Sequence, residues 1–387
     1  MSWTPFRPSQ ADWDRIAGEV AAIPKIQREF LARAPGMKVR DRTAHQYQIA
    51  GGRVTFRIAA QLPANLHGVG LFVPDAEYTG LARLSTGLGC PHLETDPDFV
   101  GFMFAFATPD GRRVDYLAIN DPVAPSPNHR DFMLLMDAAT DGTGAKAPLV
   151  SGWGKRNLPD LLVNNTLVTI GLIRRMGLLK GLGAAAHALR QTIRTAVSTT
   201  ARQRFWGGIV EAGGSPGKIM LVAQPFANGW FLRGGAHHLS EDWRARQARG
   251  PVHFDLFWLP YIDEVATPTA DMTARWAERP ALIGRLTFPQ ADAASEEAQL
   301  WAALTGEMGV NPANWISGPG SEAADPGTEF GCARKVAYRM SQESRDTLPE
   351  ALYAHVFGGA GLGETLSAEL RRRRSAKAAA GHIDRAP

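Results

Sequence analysis

The sequence predicts an α+β fold, and three observations carry that prediction. Short segments of β-type alternation cluster between Gln46 and Phe132. Helical spacing dominates before and after them. The two textures do not alternate in βαβ fashion, and no internal repeat or Ser/Pro-rich linker divides the 387 residues.

Taken in order, residues 9 to 35 place Trp13, Ile16, Val20, Ile23 and Ile26 three or four apart, with Ser9 positioned to cap a helix. Strands are predicted at Val54–Ile58, Leu81–Ser85, Phe102–Phe106 and Val114–Ala118, and Pro109-Asp110-Gly111 is a hairpin-type turn between the last two. Residues 156 to 203 read as helix. Further strands follow at Gly217–Val222, Phe254–Leu259 and Leu282–Phe288, then helices at Glu296–Leu304 and Arg334–Leu348. The Gly-, Ala- and Arg-rich end beyond Gly358 is expected to fray. This gives a helical arm over residues 1–45, a central domain over 46–350 and a flexible tail over 351–387.

Composition narrows the function classes. Hydrophobic residues make up 44% and charged residues 21%, enough apolar material for a large core. The net charge of +4 owes much to the Arg371–Arg374 run, read as a solvated arm. No basic stripe with interleaved aromatics appears, so nucleic acid is not an expected partner. Cys90 and Cys332 lack any CxxC spacing, which argues against a disulfide framework or structural zinc. The His237-His238 pair has no third ligand at suitable spacing and reads as turn or surface. The N-terminus carries no secretory pattern, so a cytoplasmic location is expected. From Leu161 to Leu189 the chain is apolar, but Asn164, Asn165, Arg174, Arg175 and Lys180 interrupt it. A bilayer span needs roughly 18 to 20 uninterrupted residues, so this is a helix pair, with peripheral lipid contact the alternative.

Four elements carry chemistry. Arg334 and Tyr338 are four residues apart and share one face of a helix. A phenol ordinarily loses its proton near pH 10, and a guanidinium held against it favours the phenolate, a hard ligand suited to ferric haem iron. The same spacing also serves an Arg stacked near a core Tyr. His67 opens a His-Gly-Val-Gly-Leu-Phe stretch, where small neighbours would let an imidazole approach a flat ligand and move a proton. Arg83 and Ser85 point to one side of a strand, one able to pair with a carboxylate and the other to orient a histidine. The stretch from Asp115 to Pro122 is a strand ending in a polar turn.

In this order, HGVGLF at 67–72, LARLSTG at 81–87, DPDFVGFMFAF at 96–106, the stretch from Pro109 to Pro122, RFWGGI at 204–209 and ARKVAYRMSQESR at 333–345 resemble the haem catalases and their shorter catalase-related relatives. The resemblance covers about Leu62 to Arg345. It implies an antiparallel β-barrel enclosing a haem b site, helices packed outside, and the Tyr338 helix beneath the iron. It implies His67 as the distal histidine with Ser85 hydrogen-bonded to it, and Arg83 and Arg345 on haem propionates. Phe132 would lie against the haem, Tyr338 would be the iron ligand and Arg334 its charge partner.

Three departures qualify what the resemblance implies. The family places Arg three residues before its distal histidine, and Ala64 stands there relative to His67. Counting without gaps puts Ile119 at the place of the distal asparagine. Asn120 is taken as the catalytic amide, which requires a bulge to turn it inward. The long arms of catalases are mostly lacking, which points to a monomer or dimer. The implied activity is O–O cleavage of hydrogen peroxide or an organic hydroperoxide. Two alternatives stay open: a fatty-acid hydroperoxide lyase or isomerase resembling allene oxide synthases, and a non-enzymatic haem-binding protein. In the allene oxide group a Thr precedes the distal histidine, and here Leu66 precedes His67.

Overall fold

The computed structural model describes residues 3–33, 42–87, 94, 99–144, 169–196, 199–200, 203–225, 237–316, 318 and 326–379. Among them, nine strands form one antiparallel sheet: β1 (Gln48–Ile58), β2 (Glu77–Thr86), β3 (Val100–Ala107), β4 (Arg113–Ile119), β5 (Arg204–Gly207), β6 (Val210–Ala212), β7 (Ser215–Gln224), β8 (Val252–Pro260) and β9 (Ala281–Phe288). Their order is β5-β4-β3-β2-β1-β9-β8-β7-β6, and β5 also pairs with β7. That last ladder sets Phe205 opposite Leu221 and Trp206 opposite Met220. It closes eight strands into a barrel, with β6 folded back on β7. Gly213 and Gly214, at φ 57° and 76°, make the two-residue turn between β6 and β7, where both positions need positive φ. At the β3–β4 hairpin Gly111 does the same at φ 82°, while Thr108 N donates to Arg112 O at 2.8 Å.

Alternation along the strands fills the barrel. Val54, Phe56 and Ile58 of β1, Leu84 of β2, Phe102, Phe104 and Phe106 of β3, and Tyr116 of β4 join Phe205, Leu221, Phe254, Trp258 and Phe288 in one buried cluster. Phe102 meets Phe205 and Phe254 edge-on at 5.3 and 4.9 Å between ring centroids. A void of about 10 Å³ remains between Phe56, Phe104 and Trp315. No ligand fits there.

Helices surround the barrel, among the described residues α1 (Gln10–Val20), α2 (Ile23–Arg33), α3 (His129–Gly144), α4 (Leu178–Ala196), α5 (His238–Arg249), α6 (Glu296–Glu307), α7 (Glu329–Glu343) and α8 (Gly363–Ala379), with a further helical stretch over residues 169–176. Ser9 caps α1 as predicted, accepting from Asp12 N at 3.2 Å while Asp12 accepts from Ser9 N at 3.0 Å. The predicted first helix divides in two because the ring of Pro24 would meet the carbonyl of Val20, four residues earlier. Helices α1, α2, α3 and α7 share a second core of Ile16, Val20, Ile26, Phe30, Met133 and Cys332. Cys332 is buried; Cys90, residues 145–168 and residues 380–387 lie outside the described residues.

The structure corrects several expectations. The end of the chain does not fray through residue 379: α8 buries Leu366 and Leu370 in a cluster with Leu300 and Leu304 of α6. Nor is the arginine run simply solvated. Arg371 pairs with Glu296 at 2.7 Å, Arg373 with Glu369 at 2.8 Å and Glu307 at 3.3 Å, and Arg374 donates to Gln299 at 2.8 Å. Helix α5 escapes the apolar periodicity because its sequence is polar, and His238 at its start is buried rather than in a surface turn. Among the described residues no helix is long and apolar enough to cross a membrane.

Candidate active site

Residues that alternate with the core positions face outward, and on the outer wall of β2, β3, β4 and β7 they line a cavity of about 410 Å³. Helices α1, α2, α3 and α7 cover it. The cavity is therefore enclosed by barrel wall and helices together, and its size suits a small-molecule or cofactor site. Arg83, Ser85, Phe132, Arg334, Tyr338 and Arg345 all line it.

His67 and Asn120 do not. His67 is exposed, with its ring Nε2 3.2 Å from Leu62 O. The reason is local: Gly68 and Gly70, at φ 71° and 54°, curl residues 67–72 into a tight loop closed by Gly68 N to Phe72 O at 2.9 Å. That loop drives Leu66, Val69, Leu71 and Phe72 into the barrel core. It is a plug for the barrel. Asn120 is buried and pinned the other way, with Oδ1 accepting from Val100 N at 2.8 Å and its own N donating to Val100 O at 2.9 Å. Strand alternation leaves Ile119, opposite Gly101 in the ladder, on the cavity wall. The bulge that would turn Asn120 inward is not there.

A histidine that does line the cavity, beside Ser85, is His45, in the irregular segment that leads into β1. It takes φ 61°, an uncommon conformation for a residue with a side chain. Its N donates to Gly87 O at 2.8 Å, and its carbonyl accepts from Arg83 Nη2 at 2.8 Å. Ser85 Oγ lies 3.3 Å from His45 Nδ1. A Cβ at position 101 would stand 2.4 Å from the imidazole, so Gly101 makes the space that the ring occupies. Three residues before His45 comes Arg42, which also lines the cavity and donates to Gly306 O at 2.6 Å. The Arg-x-x-His spacing that is lacking at Ala64 is thus present at Arg42-Thr43-Ala44-His45. That spacing was the signal able to find the histidine, and it lies within the stretch read as an arm.

Helix α7 supplies the other wall group. Thr328 caps it, accepting from Gly331 N at 3.1 Å. Phe330, Arg334, Ala337, Tyr338, Ser341 and Gln342 then recur along one face and line the cavity. The Arg334 guanidinium carbon is 5.9 Å from the Tyr338 ring centroid. Gly208 lies under this guanidinium, since a Cβ there would come within 2.4 Å of Nη1. The Tyr338 hydroxyl makes no hydrogen bond among the described residues.

Further polar groups line the cavity, among them Asp121, His129 and Lys218. His129 is buried and meets Glu19 Oε2 at 2.5 Å. Burial opposes ionisation of Glu19, yet the hydrogen bonds from His129 and Arg130 hold its carboxyl down to about 2. Glu329 completes three donor atoms within 4.8 Å of one another. Arg15 reaches Glu19 at 3.1 Å and Glu329 at 2.7 Å, and Arg130 reaches Glu19 at 2.7 Å. These carboxylates are neutralised by protein cations, which makes the cluster a salt-bridge network tying α1, α3 and α7 together. Lys218 of β7 is 5% exposed and stands with Nζ 4.5 Å from the Trp276 ring centroid.

No protein-family model matches the chain, and no curated protein matches it by sequence. Solved structures do match. A bacterial catalase aligns with a TM-score of 0.58 at 17% identity, over 84% of this chain and 61% of that one. A fungal catalase aligns with a TM-score of 0.58 at 16% identity, over 80% and 60%. Catalase A from Saccharomyces cerevisiae aligns with a TM-score of 0.53 at 14% identity, over 83% and 63%. The chain spans about three fifths of the length of these catalases. The fold is catalase-like: an antiparallel barrel with surrounding helices, as the sequence motifs implied.

The wall residues fit a haem. Tyr338 offers an oxygen donor that makes no hydrogen bond among the described residues, and Arg334 puts a positive charge beside its ring. Arg42, Arg83 and Arg345 offer cations for propionates, and Phe132 an aromatic face. Gly101 and Gly208 keep the wall low where the histidine and the guanidinium lie against it.

Proposed function

We propose that the chain binds haem b in this cavity and processes peroxides by O–O cleavage. The observation that carries the reading is the gathering, in one cavity of a catalase-like fold, of His45 with Ser85, Tyr338 with Arg334, and three arginines. Bound haem would supply a ferric centre able to cleave a peroxide bond.

The chain's own residues supply position and proton transfer. The Tyr338 oxygen would hold the iron, with the Arg334 charge beside it. Arg42, Arg83 and Arg345 would take the propionates, and Phe132 would cover an apolar face. Ser85 holds His45 at Nδ1, which assigns proton movement to Nε2. There the imidazole would accept a proton from the peroxide and return it to the departing oxygen.

The substrate is hydrogen peroxide or an organic hydroperoxide. Ile119 on the wall, where an amide was expected, favours an organic substrate, and so does the largely apolar lining. Leu178, Leu179 and Leu182 of α4 are exposed, which supports peripheral contact with a lipid source of such a substrate. Ala44, not a threonine, precedes His45, which favours peroxidase chemistry over rearrangement of an allene oxide type. A cytoplasmic location accords with this reading.

The test is the absorption spectrum of the haem-reconstituted protein, followed on adding hydrogen peroxide while oxygen is monitored, then on adding an alkyl hydroperoxide. Wild type is expected to give a high-spin ferric spectrum and to consume peroxide. Tyr338→Phe is expected to lose that spectrum; an unchanged spectrum would overturn the iron-ligand assignment.

A further inference from the structure

Lys218 differs from the other cations of the cavity. Its neighbours Ile219 and Leu221 point into the barrel core, so alternation on β7 puts Lys218 on the outer wall, where it lines the cavity. It is 5% exposed. Among the described residues no carboxylate pairs with it and no hydrogen bond reaches its ammonium. Burial alone pushes the ammonium down to about 8, with no anion to raise it. Lysine is rarely buried without a partner, because an uncompensated charge in an apolar setting is costly. Arg42 and Arg83, by contrast, are partly committed to backbone carbonyls.

The surroundings define the missing partner. Nζ rests over the face of Trp276, whose indole N–H donates to Pro268 O at 2.8 Å and so fixes the ring. Trp276 clusters with Met272, Ile209, Ala124 and Phe330. Phe330 begins the cavity face of α7, and Arg345 stands just beyond its other end. At about 1.5 Å per residue the two lie roughly 20 Å apart along the helix. The cavity therefore has cations at both ends: arginines suited to propionates at one, and at the other Lys218 over the Trp276 ring, with Arg334 one turn along α7 from Phe330 beside Tyr338. An ammonium with no carboxylate partner among the described residues, set against an aromatic face, matches a monoanion attached to an apolar body.

We propose that Lys218, backed by Trp276, binds the carboxylate of a long-chain organic acid whose apolar body lies along the cavity wall toward Tyr338. This deepens the peroxide reading by naming its substrate class, an amphipathic acid hydroperoxide, and rests on that reading for the chemistry but not for the binding.

The test is equilibrium dialysis of dodecanoate and of dodecanol against the haem-loaded wild type, Lys218→Met and Lys218→Arg at pH 7. Wild type is expected to prefer the acid at least tenfold. Lys218→Met is expected to bind both equally with haem content unchanged, and Lys218→Arg to keep the preference. In wild type the preference should fade as the lysine deprotonates at alkaline pH. Equal binding of acid and alcohol by wild type, or an undiminished preference in Lys218→Met, overturns the proposal. Loss of haem from Lys218→Met, restored in Lys218→Arg, also overturns it and assigns the lysine to the prosthetic group. If wild type takes up no haem the peroxide reading fails, and the acid preference, measured on the same chain, is judged separately.

Discussion

The inner and outer faces of the same strands make an instructive pair. On β2, Ala82 and Leu84 point inward while Arg83 and Ser85 line the cavity. On β3, Phe102 and Phe104 point inward and Gly101 and Met103 outward; on β7, Ile219 and Leu221 inward and Lys218 outward. One face leaves a void of about 10 Å³ and the other a cavity of about 410 Å³. The period of two lets each strand answer to two environments at once. Aromatic packing inside fixes the barrel, and that leaves the outer positions able to hold groups the barrel core does not require: a lysine with no carboxylate partner among the described residues, a histidine at positive φ, a glycine kept for the space above it.

Substitutions on the two faces should therefore separate turnover from stability. His45→Ala has the largest expected effect, lowering peroxide turnover roughly a hundred- to ten-thousandfold with haem uptake and folding intact. His67→Ala, at the barrel plug, should leave turnover within twofold; a reversed pattern in steady-state kinetics would return the proton-transfer role to His67. Phe102→Ala, on the inner face, should cost about 3–5 kcal/mol of stability in urea unfolding. A loss below about 1 kcal/mol would mean that the barrel core is not packed as described.

Smaller effects sharpen the same contrast. Ser85→Ala removes one hydrogen bond to His45, worth about 1 kcal/mol, and should slow turnover roughly fivefold with the unfolding midpoint unmoved. The smallest effect is on acid stability. Glu19 has a folded-state value of about 2, below its ordinary 4.5, so its contribution is present above about 4.5 and is lost as pH falls toward 2. Glu19→Gln should flatten the stability profile in that window, read by fluorescence-monitored urea unfolding, and lower stability by a constant amount above pH 6.

Much of this was legible in the sequence where a period exists to be read. The strands at Val54, Leu81, Phe102 and Val114 follow alternation, and the Arg334–Tyr338 pair follows helical spacing, so both lie where their spacing puts them. Arg83, Ser85, Phe132 and Arg345 reach the cavity for the same reason. His45 belongs to no periodic element: it enters the site through a left-handed backbone turn and a glycine on another strand, neither visible in the linear pattern near it. His67 sits in a stretch whose small residues suit a tight turn as well as a ligand cover, and only the turn's contacts separate the two. Asn120 shows the sharpest limit, since one residue of register decides which face it joins. The docked C-terminal helix was hidden by its arginines, whose partners lie on α6 and on the helix itself.

The barrel has its own core and the helices α1, α2, α3 and α7 have another, so the cavity is the seam between two separately packed bodies. A seam of this kind opens by parting the helical layer, at the free-energy cost of that layer alone, while the barrel stays folded. A ligand gripped from both sides would act as a rivet: its binding energy adds to the resistance of the whole chain to unfolding, and most of that gain appears as slower exchange of backbone protons in the helices rather than in the strands.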